Sequence, residues 1–234
     1  MEKIPKIIHY CWFGDNEFTE LNKKCIDTWK KFCPDYEFML WDNDNIDLSS
    51  CKYAQQAYEK KHWAFVSDFA RFQAINKYGG IYLDVDVELI KSLDDFLGND
   101  CFLSFKDYRS NFGITSGIFG ATKKHPYINT IYESYLNRTY IKEDDSVDIT
   151  PIAKVMYDEC AKLGLQLEDK LQEIEGIKVY PCEYLCPHIE DNKSFIVTDK
   201  THSLHYFNTS WLTQEMRETY KKQMMANKDK KVLL

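Results

Sequence analysis

The sequence predicts an α/β fold, a sheet flanked by helices, and three observations lead there. From Lys6 to Lys60 the segments run strand, helix, strand, helix, an order that favours helices packed on a sheet. Trp63 to Tyr78 carries Phe65, Phe69 and Phe72 at i, i+4 and i+7, with Val66 and Ala70 widening the apolar face; this is helical spacing. After Gly79-Gly80, apolar Ile81, Leu83, Val85, Val87 and Leu89 alternate with Tyr82, Asp84, Asp86 and Glu88, which is the period of a half-buried strand.

The elements follow in order. Lys6–Phe13 reads as a buried strand ended by Gly14-Asp15-Asn16, and Thr19–Phe32 as a helix stopped by Cys33-Pro34. Tyr36–Trp41 is a second strand, and Lys52–Lys60 and Trp63–Tyr78 are helices, the last capped by Gly79. A single strand is expected over Ile81–Leu89, then a turn or short helix over Lys91–Leu97. Further strands are expected at Cys101–Phe105 and Ile114–Ala121, and a helix at Pro126–Leu136. Arg138–Thr150 is polar and reads as a loop. Thr150-Pro151 then supplies a cap and a first-turn proline for a helix ending near Gly164. Val179–Tyr180, Phe195–Thr198 and Ser203–Phe207 read as late strands. No repeat, linker or clear boundary is visible, so residues 1–212 read as one domain, followed by a polar helix or tail over 213–234.

Composition narrows the function. Hydrophobic residues at 44% and aromatics at 15% suffice for a core in a 234-residue chain, and 29% charged residues fit a water-exposed surface. A formal net charge of −7 argues against a general nucleic-acid binder, which needs surplus Lys and Arg. No apolar run is long enough to span a bilayer, and charged residues break the N-terminal apolar run early. The expectation is cytoplasmic residence. The eight cysteines then read as free thiols of a reducing compartment. Cys182 and Cys186 are the close pair, but zinc would need two more ligands and only His188 is near in sequence.

Chemistry concentrates on the alternating stretch. Asp84 and Asp86, at i and i+2 of a strand, share a face with Cβ atoms about 6–7 Å apart. Such a pair offers hard oxygen ligands suited to Mg²⁺ or Mn²⁺, which in turn grip phosphates. An EF-hand is excluded, because Leu89 stands where the loop needs glycine and Asp95 where it needs glutamate. A solvated strand face is the plain alternative. An aspartate-nucleophile phosphatase is another, although Val87-Glu88 departs from the residues expected after its second aspartate. On the preceding helix, Asp68 and Arg71 at i and i+3 share what reads as the polar face, with Ser67 beside them. The Gly-Gly turn would bring them back to Asp84 and Asp86; the plain alternative is a surface ion pair.

Ser67-Asp68-x-x-Arg71 followed by Tyr78-Gly79-Gly80-x-Tyr82-x-Asp84-x-Asp86 resembles the donor-binding core of glycosyltransferase family 32. That group includes capsular-sugar transferases and yeast mannosyltransferases, and is similar to the glucosylating domain of large clostridial toxins. Ile4-Pro5-Lys6-Ile7-Ile8-His9-Tyr10-Cys11-Trp12-Phe13-Gly14 resembles the family's first strand, and His205 with Ser210-Trp211 its closing segment. The resemblance spans Ile4 to Trp211 and implies a GT-A fold, a nucleotide-binding mixed sheet flanked by helices. It implies a retaining hexosyltransferase that uses a nucleotide sugar, most simply a UDP-sugar, with Mn²⁺ or Mg²⁺, and a glycan, lipid-linked or other hydroxyl acceptor.

By the same resemblance Trp12 stacks on the base, and Asp68 and Arg71 hold sugar hydroxyls and phosphate. Asp84 contacts ribose or sugar and the metal shell, and Asp86 ligates the metal. His205, Ser210 and Trp211 close over the diphosphate, with His205 a further possible ligand. Ser116-Gly117, in a strand with close backbone approach, reads as lining the sugar pocket. Thr150-Pro151 departs from the family's Gly-Pro and puts acceptor preference in doubt. A non-catalytic nucleotide-sugar-binding module is the remaining alternative. Beyond this core, Leu212, Met216, Tyr220 and Met224 make a narrow apolar stripe among Arg217, Lys221 and Lys222, the pattern of a helix able to lie on an anionic membrane or to pack on the domain.

Overall fold

The computed structural model describes residues 3–106, 113–189 and 194–208. Its centre is a seven-stranded sheet made of β1 (Ile7–Cys11), β2 (Glu37–Trp41), β3 (Gly80–Leu83), β5 (Cys101–Ser104), β6 (Ile118–Ala121), β7 (Gln172–Ile174) and β8 (Ile177–Tyr180). The strand order is β2-β1-β3-β6-β5-β8-β7. β1 runs parallel to both β2 and β3, β6 is antiparallel to β3 and β5, β5 is parallel to β8, and β7 is antiparallel to β8. A separate two-stranded sheet pairs β4 (Val87–Leu89) with β9 (Ser203–His205). The helices are α1 (Glu20–Phe32), α2 (Lys52–Glu59), α3 (Trp63–Tyr78), α4 (Pro126–Leu136), α5 (Ile152–Lys162) and the one-turn α6 (Cys182–Leu185). The expected mixed sheet flanked by helices is what the chain forms.

Apolar side chains fill both sides of the sheet. Phe65, Phe69 and Phe72 of α3 pack with Tyr82 and Phe119 in one cluster, whereas Ile81, Leu83 and Ile118 point the other way to meet Trp29 of α1, Val87 and Phe96. The period-2 alternation of β3 thus divides it between two cores. α1 begins at a capping box in which Thr19 and Asn22 satisfy each other's backbone N–H groups. It is pinned to β4 by Trp29, whose Nε1–H donates to the Val87 carbonyl at 2.6 Å.

The predicted single strand over Ile81–Leu89 is in fact two. After Leu83 the partner strand β6 has only just begun, and Asp84 N–H donates the last ladder bond, to Gly117 O at 2.8 Å. Asp84 O then accepts from Val87 N at 2.9 Å, closing a turn. The chain leaves the main sheet and its next backbone groups pair with β9. The two aspartates therefore lie in a turn, Asp84 at its start and Asp86 within it, rather than share a strand face. Other boundaries also shift. Strand 114–121 shrinks to β6 with one bridge from Ile114 to Phe105, and the expected 195–198 strand reduces to one bridge between Ile189 and Phe195. β9 stops at His205, and β7 went unforeseen in a polar stretch. Thr150 is not the cap of α5; Pro151 takes that place without a side-chain bond, while Thr150 N donates to Asp148.

The two-glycine corner works as expected. Gly79 caps α3, donating to Ile75 O, and both Gly79 and Gly80 have positive φ, at +71° and +110°. A Cβ on Gly80 would stand 2.7 Å from Ile7 O, so the parallel contact of β1 with β3 depends on its absence. The same corner fixes His9. A carbonyl only accepts, so His9 Nε2–H donates to Gly79 O at 2.8 Å, and its Nδ1 accepts from Trp41 Nε1–H at 3.1 Å. Both nitrogens are used by the neutral ring, and burial lowers its pKa to about 4 against the pull of the Gly79 carbonyl.

This gives a pH dependence of known sign. Unfolded His9 protonates near its ordinary 6.5 while the folded ring stays neutral to about 4. The stabilisation is complete above pH 6.5 and is lost as pH falls towards 4, by about 2 kcal/mol at pH 5. Urea unfolding followed by tryptophan fluorescence at pH 7.5 and 5 should show that loss, and His9→Gln should shrink it.

Candidate functional site

β1 lies between β2 and β3, so the chain leaves β1 to one side and enters β3 on the other. A crevice opens at such a switch point, beyond the carboxyl ends of the parallel strands. Trp12 follows β1 on one rim and Asp84 follows β3 on the other. Because β6 runs antiparallel, with Leu83 opposite Ile118, the Ser116-Gly117 bend that precedes it arrives at the same end. The site thus comes from strand polarity rather than proximity in sequence.

Under the crevice lies a buried ion cluster. Asp68 and Arg71 are only 7% and 5% exposed, so they are not on a polar helix face and do not form a surface pair. Most of α3 is buried, with Lys77 its exposed residue. Arg71 Nη2 faces Asp68 Oδ1 at 3.1 Å and Nη1 faces Asp84 Oδ1 at 3.3 Å. Nη1 also donates to Ser116 O at 2.9 Å, and Nε to Ser67 O at 3.2 Å. The guanidinium carbon sits 4.5 Å from the Tyr82 ring centroid. Tyr82 in turn donates its hydroxyl to Asp84 Oδ1 at 2.8 Å. Burial pushes the Asp68 carboxyl up from the usual carboxylate range, opposed by Arg71. Arg71 therefore binds Asp68, Asp84 and the Ser116 bend into one unit, with its donors directed at protein oxygens.

The turn aims the remaining oxygens outward. Asp84 Oδ1 is held by Tyr82 and Arg71, which leaves Oδ2. Asp86 Oδ2 accepts from Asn208 N at 2.7 Å, which leaves Oδ1. His205, 6% exposed at the end of β9, brings Nε2 to 3.2 Å from Asp86 Oδ1 and 3.8 Å from Asp84 Oδ2. One ligand atom from each residue lies within 4.8 Å of the others. Burial opposes charge on His205, but the hydrogen bond and charge of Asp86, with Cys186 alongside, raise its pKa to about 10. In turn Asp86 is held down, chiefly by His205, against its own burial. Two carboxylate oxygens and an imidazole nitrogen, each carboxylate oriented by a bond to its other oxygen, suit a divalent cation.

The other expected residues take varied places. Trp12 is half-buried; its Nε1–H donates to Asn16 O at 2.6 Å and its ring packs on Phe18 at 4.7 Å, leaving a face at the rim. Ser67 turns its hydroxyl back to Trp63 O and contributes only its carbonyl, to Arg71. Ser116 likewise meets Arg71 through its carbonyl. It lies in a bend rather than a strand. Gly117 is close to the centre: a Cβ there would lie 2.4 Å from His205 Cε1 and 3.0 Å from Asp84 Oδ2. Ser210, Trp211 and the segment 213–234 lie outside the described residues. Sequence reasoning missed Tyr82, although it shares the strand period with Asp84, and Asn208, which has no sequence signal.

The mixed sheet flanked by helices is of the GT-A type that the resemblance implied. Residues 19–103 match the family described as glycosyltransferase sugar-binding region containing DXD motif. An uncharacterized glycosyltransferase of Acanthamoeba polyphaga mimivirus is 27% identical over 158 residues, covering 63% of this chain and 60% of that protein. Inositol phosphoceramide mannosyltransferase 3 of Schizosaccharomyces pombe is 32% identical over 133 residues, covering 53% of this chain and 35% of its own. The solved PaToxG glycosyltransferase superposes with a TM-score of 0.51 at 21% identity over 69% of each chain, a likeness of fold. Residues 19–103 thus resemble the DXD-motif sugar-binding region of glycosyltransferases, in keeping with the resemblance to family 32. The chain's match spans less than two thirds of either curated relative.

Two outcomes follow from this geometry. Arg71→Met leaves Asp68 and Asp84 without their cation and should cost about 3–5 kcal/mol in urea unfolding. Gly117→Ala should displace the His205 ring, lower stability by about 1–3 kcal/mol through overpacking, and weaken Mn²⁺ binding by about tenfold or more, read by calorimetry.

Proposed function

We propose that this chain is a metal-dependent, retaining glycosyltransferase that moves a hexosyl group from a nucleotide sugar, most simply a UDP-sugar, to a hydroxyl acceptor. The convergence of Asp84 Oδ2, Asp86 Oδ1 and His205 Nε2 at the sheet's switch point carries this reading. The donor set fits Mn²⁺ or Mg²⁺, and the glycine gap at Gly117 leaves room for His205 to approach. These three residues would hold the cation, which when bound neutralises the diphosphate leaving group.

The remaining roles fall to the chain's own groups. Trp12 offers a flat surface for the base at the rim. Asp68, at the floor beside Arg71, is an acceptor for sugar hydroxyls. Arg71 positions Asp84 by fixing its Oδ1 together with Tyr82. The fission-yeast relative is named for mannosyl transfer to inositol phosphoceramide, which supports a hexosyl donor and a glycan or lipid-linked acceptor. Among the described residues no helix is long and apolar enough to cross a membrane. Contact with a membrane, if made, falls to the basic segment after Leu212.

Transfer or donor hydrolysis should stop in excess chelator and return with Mn²⁺; full activity after dialysis against EDTA would contradict the metal assignment. By calorimetry, Asp86→Ala should abolish metal-dependent binding of nucleoside diphosphate. Asp68→Ala should leave that binding nearly intact and lose about tenfold in preference for the nucleotide sugar. Equal loss in both variants would refute this division of roles.

A further inference from the structure

We infer a second metal site, built for zinc, from Asp169, Cys182 and His188. The three come from separate places: the loop between α5 and β7, the first residue of α6, and the chain just after it. Their ligand atoms lie within 4.8 Å of one another. Cys182 Sγ is 2.9 Å from Asp169 Oδ2 and 3.3 Å from His188 Nε2. Around a tetrahedral zinc, with bonds of about 2.3 Å to sulfur and 2.0–2.2 Å to nitrogen or oxygen, ligand atoms stand roughly 3.5 Å apart. The cluster is within a few tenths of an ångström of that for sulfur and nitrogen, and the carboxylate oxygen must move away from the sulfur by about 0.6 Å.

Three features favour an ion over a chance contact. The carboxylate is aimed: Asp169 Oδ1 accepts from Cys182 N at 2.7 Å, which turns Oδ2 onto the sulfur, an outer bond of the kind that orients metal ligands. The ligand types are a soft sulfur, an imidazole and a carboxylate, a set that selects zinc. The Asp84–Asp86–His205 group, with two carboxylates, suits harder ions. The charges balance, since Zn²⁺ meets one thiolate and one carboxylate. On binding, the Cys182 S–H gives its proton to solvent and the sulfur lone pair forms the S–Zn bond. Water fills the fourth corner beside exposed Asp169.

The sequence pairs Cys182 with Cys186, but the fold separates them. Cys186 faces His205, and Asp169 takes the place that spacing gives to a second cysteine. The ion would brace α6. That helix supports β9, because Ser203 Oγ donates to Leu185 O at 2.6 Å and His202 N to Tyr184 O at 2.8 Å.

The test uses the full chain stripped with chelator. Zinc is titrated against a chromophoric chelator, and Co²⁺ is titrated as a probe whose sulfur-to-cobalt charge-transfer band reports a thiolate ligand. In the Asp86→Ala chain, where the carboxylate turn is disabled, one zinc should bind per chain, with the cobalt band. Added to that chain, Cys182→Ser and His188→Gln, shown to be folded by circular dichroism, should weaken zinc at least a hundredfold. Cys182→Ser should abolish the band, while Cys186→Ser should keep it. Absence of zinc binding by the Asp86→Ala chain, undiminished affinity with Cys182→Ser, or loss of the band only in Cys186→Ser would each overturn the site. The result is independent of donor binding at Asp84 and Asp86.

Discussion

Arg71 is a buried cation between two carboxylates, and the crevice is arranged around that fact. Removing a guanidinium from water is costly unless its donors are met. Here they are met by Asp68, Asp84 and the carbonyls of Ser67 and Ser116. Those partners belong to α3, to the turn after β3 and to the bend before β6. Satisfying one side chain therefore locks three segments. The Tyr82 ring covers the cation from one side and its hydroxyl shares the load on Asp84. This leaves one Asp84 oxygen committed to structure and one turned to the crevice.

The second half of the site arrives from far along the chain. β4 departs from the main sheet after the Asp84–Asp86 turn and recruits β9, which delivers His205. Lys24 of α1 and Tyr206 both bond to Glu88, tying this small sheet to the domain. The His205 ring stacks on Phe207 at 3.9 Å, and Lys106 lies over the far ring at 4.3 Å. Only a glycine at 117 lets the His205 ring come so near Asp84.

Much of this was legible in the sequence for physical reasons. Helical spacing marked α3, glycine marked its end, and period-2 alternation marked β3. Asp68, Arg71, Asp84, Asp86 and His205 were named, and they do meet. What the pattern could not show was where pairing stops. Alternation continues unbroken from Ile81 to Leu89 because β4, on a different sheet, is itself half-buried. Hence the aspartates looked like strand neighbours when they lie in one turn. Likewise polar residue type marks an exposed helix face, yet Asp68 and Arg71 lie on a buried face of α3, so they read as surface residues. Tyr82 and Gly117 act through contacts across the fold, which spacing does not encode.

The proposed function requires that the Asp84–Asp86 turn and His205 together bind one divalent cation with the nucleoside diphosphate. Electron paramagnetic resonance of Mn²⁺ titrated into the chain with UDP present measures this directly. One bound Mn²⁺ per chain is expected, lost on His205→Ala or Asp84→Asn while circular dichroism stays unchanged. Undiminished Mn²⁺ binding in those folded variants would contradict the account.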